Sequence, residues 1–89
     1  MFDFRKNGLE FPIPFSLKII GRDENNFRDH AVSIVREYAP DVDEARVRTR
    51  MSRANNYVSV TVPFVAESRE QLDAIYRDLN QSERVILVI

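Results

Sequence analysis

The chain has 89 residues, 44% of them apolar and 30% charged, with 13 basic and 14 acidic side chains. That length permits one small domain and excludes a nucleotide-binding domain joined to a substrate domain. A net charge of −1 excludes the whole-molecule basic field that draws proteins to nucleic acid, and the lack of cysteine excludes disulfides, thiol catalysis and cysteine-ligated metals.

Residues 1–9 are mixed and aperiodic and read as a loose arm ahead of a single domain over residues 10–89. Met1–Lys6 does not lead into the apolar segment of a secretory signal, and the longest apolar run, Val85–Ile89, is too short to span a membrane. A cytoplasmic protein with no membrane partner is the expectation. In Glu10–Pro14 two prolines bias their predecessors toward extended backbone, and Phe11 is expected to pack at the end of a sheet. Phe15, Leu17 and Ile19 then alternate with polar residues, as in a half-buried strand that Gly21 ends.

Asn25 or Asn26 is placed to cap a helix, because a side-chain oxygen there accepts an orphan N–H. Phe27, Ala31, Ile34, Val35 and Tyr38 recur at three- and four-residue spacing, one face of an amphipathic helix that Pro40 stops. Over Asp41–Ser52 the period returns to two. Ala45, Val47, Thr49 and Met51 share one side, and Arg46, Arg48 and Arg50 the other. After a loop at residues 53–56, Val58, Val60, Val62 and Phe64 alternate with Tyr57, Ser59 and Thr61, so the two strands form a hairpin. Ser68 and Gln71 read as a capping box for a helix with Leu72, Ile75, Tyr76 and Leu79 on its buried stripe. Asn80 is expected to end it in a left-handed turn, and Glu83–Ile89 is a last strand, apolar on both faces toward its end.

The order β-α-β-β-α-β, with right-handed crossovers, predicts an α+β fold: a ferredoxin-like sandwich of a four-stranded antiparallel sheet with both helices on one face. With strand order 4-1-3-2, the uncovered face carries Arg46, Arg48 and Arg50 beside Tyr57, Ser59 and Thr61, with Lys18 one strand further on. Eleven of the 13 basic residues are arginine, whose planar fork suits carboxylate and phosphate. Alternate residues on a strand lie about 6.8 Å apart, a spacing able to meet an anionic partner. The plainer reading is a solvated face, with edge charges that discourage aggregation and with Asp43 or Glu44 compensating them.

Other chemistry is sparse. His30 is the only histidine, sits off the apolar stripe and reads as a surface residue. No glycine-rich phosphate loop exists, since only Gly8 and Gly21 are present. Gly21-Arg22 and Phe27-Arg28 weakly resemble the phosphate loop of acylphosphatases, but Asp23-Glu24 stand where an anion would bind. Tyr57 is the only aromatic expected on the open face, too few for the stacking platform of an RNA-binding sheet. Neither enzymatic activity, nor a metal or cofactor, nor a nucleic-acid partner is expected.

The stretch Glu10-Phe11-Pro12-Ile13-Pro14-Phe15-Ser16-Leu17-Lys18-Ile19-Ile20-Gly21 resembles the N-terminal signature of the YbeD-like family of small bacterial proteins of unknown function. Tyr38-Ala39-Pro40, the hairpin over residues 52–60, and Ile75–Leu79 extend the likeness to residues 9–89. One departure is the hairpin loop, where family members often have glycine near Ala54 or Asn55. The resemblance implies a ferredoxin-like domain akin to small-molecule regulatory domains of amino-acid metabolism enzymes, with a contextual link to lipoate metabolism and no catalytic residues to carry over. Two readings follow. One is a regulatory module that binds a small anionic metabolite or a protein partner through Lys18, Arg46, Arg48, Arg50 and Tyr57. The other is an interaction domain whose apolar edge, Val85, Leu87 and Ile89, forms a homodimer.

Overall fold

The computed structural model describes residues 10–52, 54 and 56–89. The arm at residues 1–9, and Arg53 and Asn55 in the hairpin loop with the departure noted there, lie outside the described residues. The strands are β1 (Ile13–Arg22), β2 (Arg48–Met51), β3 (Tyr57–Ala66) and β4 (Val85–Val88), and the helices are α1 (Phe27–Tyr38) and α2 (Arg69–Gln81). The sheet runs β2-β3-β1-β4 with every pairing antiparallel, which is the expected ferredoxin-like order.

Alternation decides which face is covered. Leu17 and Ile19 on β1 lie opposite Val62 and Val60 on β3, and all four are fully buried. They pack into one core with Phe27, Ala31, Val32 and Val35 of α1 and Leu72, Ile75, Tyr76 and Leu79 of α2. Val32 joins this stripe, and Ile34 and Tyr38 lie at its margin, half-buried. Phe11 packs against the same core from the sheet end, and its bond to Pro12 is cis. No helix among the described residues is long and apolar enough to cross a membrane.

Local chemistry departs from the expectations in four places. Glu44–Arg46 is a 3-10 turn and β2 begins only at Arg48. The reason is Asp43, whose carboxylate accepts the Ala45 N–H at 3.0 Å and starts a turn where alternation alone predicts strand. Asn26 does sit at the start of α1, but in the left-handed region at φ 56, and its amide donates to Asp29 rather than accepting a helix N–H. Helix α2 runs past Asn80 to Gln81 and ends on Ser82 in extended backbone, without a left-handed turn. Gly21 lies within β1, not at its end. The Ser68 cap holds: its hydroxyl accepts the Gln71 N–H at 3.1 Å, while the Gln71 side chain accepts the Glu67 N–H at 2.7 Å.

Candidate functional site

The face of the sheet turned away from the helices is built in rows. Lys18 lies opposite Thr61, which lies opposite Arg48. The next row runs Ile20, Ser59, Arg50, and the next pairs Arg22 with Tyr57. Strands lie about 4.8 Å apart, so the Lys18 and Arg48 backbones are roughly 10 Å apart across Thr61, and Arg48 and Arg50 about 6.8 Å apart along β2. Lys18, Arg48 and Arg50 are exposed, and among the described residues no carboxylate pairs with any of them. The expected compensators are engaged elsewhere. Glu44 accepts from Arg28 and Arg36, tying the 3-10 turn to α1, and Asp43 caps that turn. The face therefore holds a cationic cluster with no carboxylate partner among the described residues, flanked by Thr61 and Ser59.

Tyr57 is on this face as expected, and the Arg22 guanidinium lies 5.8 Å from its ring centroid, covering one side of the ring. Arg46 is not in the cluster. It belongs to the 3-10 turn and lines a separate surface groove with Pro14, Phe15, Tyr38, Phe64 and Gln71. The alternation of three arginines reduces to two, because Asp43 ends the strand pattern before Arg46.

At the opposite edge, Leu87 pairs with Ile20 and Ile89 exchanges backbone hydrogen bonds with Lys18, so both side chains lie on the open face. Val85, opposite Gly21, turns toward the helices and is half-buried. A bulge between Ile20 and Gly21 separates these two settings.

The histidine is better integrated than its sequence position suggests. His30 is half-buried, and its Nε2 is 2.8 Å from the Ser82 hydroxyl at the end of α2. Nearby, Arg84 donates to the carbonyls of Glu24 and Asn25 at 2.6 and 2.7 Å and lies 5.8 Å from the Phe27 ring centroid. Burial, and then the Arg84 charge, hold the His30 pKa below its ordinary 6.5. No carboxylate orients the ring among the described residues, so the pair ties α1 to the α2–β4 turn without forming a charge-relay triad. Because the folded state resists the proton, this group contributes stability above the ordinary value. That contribution is lost as pH falls through the lowered one. The urea midpoint is expected to drop on mild acidification below 6.5, and His30→Gln to flatten that segment of the profile. An unchanged slope in the variant would remove His30 as its source.

A second polar tie joins the helices. Tyr38 donates to Asp78 at 2.6 Å and accepts from Arg77 at 3.2 Å. The Tyr38 hydrogen bond holds the Asp78 carboxyl below its usual range, and the same bond raises the tyrosine. Among the described residues no group of three His, Asp or Glu side chains is placed to hold a metal ion.

A model of the family described as "Protein of unknown function (DUF493)" matches residues 6–89. A UPF0250 protein of Paraburkholderia phytofirmans is 44% identical over 81 residues, covering 91% of each chain. One from Nitrosomonas europaea is 37% identical over 81 residues, 91% of this chain and 93% of that one. Among solved structures, protein HP0495 from H. pylori superposes with a TM-score of 0.71 at 12% identity, covering 91% of this chain and 85% of that one. The ACT domain from GTP pyrophosphokinase of Chlorobium tepidum gives 0.62 at 13% identity, covering 86% and 95%. At such identities the structural likeness shows a shared fold alone. The family match and the curated relatives, each spanning nearly all of the sheet and both helices, show that this chain belongs to the DUF493 (UPF0250) family of unknown function, the YbeD-like group that its Glu10–Gly21 stretch resembles.

Proposed function

We propose that this protein is a non-enzymatic regulatory module that binds an anionic ligand on the open face of its sheet. The observation that carries this is the pair of rows bearing Lys18, Arg48 and Arg50, three exposed cations without a carboxylate partner among the described residues. A carboxylate or phosphate group, on a small metabolite or on a protein surface, would take bidentate hydrogen bonds from the arginines and a point charge from Lys18. Thr61 stands between Lys18 and Arg48, and Ser59 stands beside Arg50 with Ile20 on its other side. A fold shared with an ACT domain, a class of small-molecule regulatory domain, supports regulation over catalysis. The family's contextual link to lipoate metabolism fits the same chemistry, because lipoate ends in a carboxylate.

The double variant Arg48→Ser/Arg50→Ser tests this. Both residues are exposed, so folding stability should stay within about 0.5 kcal/mol per site. Backbone amide shifts are followed by NMR while inorganic phosphate, lipoate and an acidic peptide are added in turn. Shifts are expected to centre on Lys18, Thr61 and Arg48 and to weaken as salt screens the exposed charges. At about 1.5 kcal/mol for each arginine lost, the net of its exposed charged hydrogen bonds, the double variant should bind on the order of 100-fold more weakly. Shifts centred elsewhere, or affinity that survives the double change, would overturn the reading.

A further inference from the structure

The sheet has two edges, β2 and β4, and they are built differently. β2 carries Arg48 and Arg50 among its four residues, so a second copy laid along it would gather four guanidinium groups. Val85–Ile89 carries no charged side chain in a chain that is 30% charged. Within it Ile86, Leu87 and Ile89 are 55, 50 and 63% exposed. Sheet edges are ordinarily blunted by charge, proline or a bulge. The one such device on β4, the bulge, falls at its start, and residues 87–89 beyond it are regular.

The register shows what that regular stretch offers. The Lys18 N–H donates to the Ile89 carbonyl at 3.0 Å and the Ile89 N–H donates to the Lys18 carbonyl at 2.8 Å. In an antiparallel ladder the inward and outward pairs alternate, so Val88, opposite Ile19, turns its N–H and C=O away from β1.

We propose that two copies of this chain join β4 to β4, antiparallel, about a two-fold axis at Val88. Each Val88 then donates to and accepts from the other, and Leu87 of one copy stands opposite Ile89 of the second on the open face. This register is consistent in facing, since Leu87 and Ile89 both project to that side. It also brings no like-charged side chains together. The nearest open-face cation, Lys18, lies one strand back, so the two lysines are about three strand spacings, roughly 14 Å, apart across the seam. That exceeds a Debye length of about 8 Å at physiological salt. The product is one eight-stranded sheet with an apolar strip between two cationic fields. It stands independently of what those fields bind.

Sedimentation equilibrium from micromolar to millimolar protein tests the seam. The native chain is expected to rise toward twice its monomer mass. Leu87→Lys alone and Ile89→Glu alone should each remain monomeric, with far-UV spectra and low-concentration unfolding midpoints unchanged. Mixed in equal amounts they should associate, because the lysine introduced in one copy then faces the glutamate introduced in the other, while the second Leu87–Ile89 pair stays apolar. A native chain that stays monomeric at millimolar concentration overturns the proposal. So does a single variant that associates like the native chain, which would place the contact elsewhere. A mixture that stays monomeric rejects the register and with it the proposal.

Discussion

Gly21→Ala is expected to lower stability by about 2–3 kcal/mol, within the usual range for overpacking a filled core. Gly21 is buried in mid-strand, and a Cβ there would drive into the Phe27 ring and stand 2.6 Å from the Arg84 backbone carbonyl. Neither obstacle yields easily. The ring is held by the core, and the carbonyl belongs to the turn that leads into β4. At about 4–8 °C per kcal/mol for a domain of this size, the melting temperature should fall by roughly 10–20 °C. A variant that melts within a few degrees of the native chain would mean that Phe27 and Arg84 can withdraw from the Gly21 backbone.

Phe27→Ala should cost more, about 3–5 kcal/mol. The ring is 1% exposed, and the Arg84 guanidinium and the His30 ring lie 5.8 and 6.2 Å from it. Its loss empties the junction where β1, α1 and the turn before β4 meet. Total stability for a chain of this length is on the order of 4–13 kcal/mol, so the variant approaches the limit of folding. The milder Phe27→Leu keeps the protein folded and removes the ring atoms nearest Gly21. In that background Gly21→Ala should lose at least about 0.5–1 kcal/mol of its penalty, the coupling expected of residues in direct contact. Additive effects in chemical denaturation would show that ring and glycine do not touch.

Much of this arrangement is legible in the residues alone. Period-two alternation places Lys18, Ser59 and Thr61 away from Val60 and Val62, and the β-α-β-β-α-β order then puts the helices on the valine side. Arg48 and Arg50 follow by the same logic. Arg46 does not, because a single hydrogen bond from Ala45 to Asp43 converts apparent strand into turn, and alternation is blind to side-chain caps. The asparagines show a similar limit. Left-handed backbone falls at Asn25 and Asn26 and not at Asn80. Arg84, some sixty residues away, donates to the carbonyls of Glu24 and Asn25 and so holds that turn. The His30–Ser82 contact spans 52 residues and carries no local signature either. Only the fold brings the first turn of α1 against the end of α2.

The exposure of β2 has its own consequence. All four of its residues are exposed, and β3 is its one neighbour in the sheet. Such a strand sits at the low end of the local-opening scale, so its amide hydrogens should exchange ahead of those in β1 and β3. Arg48 and Arg50 ride on it. Any anion that needs both of them in register would bind the closed strand only, and saturation would retard exchange at the Arg48 and Arg50 amides, which by the alternation of the ladder face β3, by a factor set by concentration over dissociation constant. Occupancy of the sheet could then be timed by deuterium uptake before the occupant itself has been named.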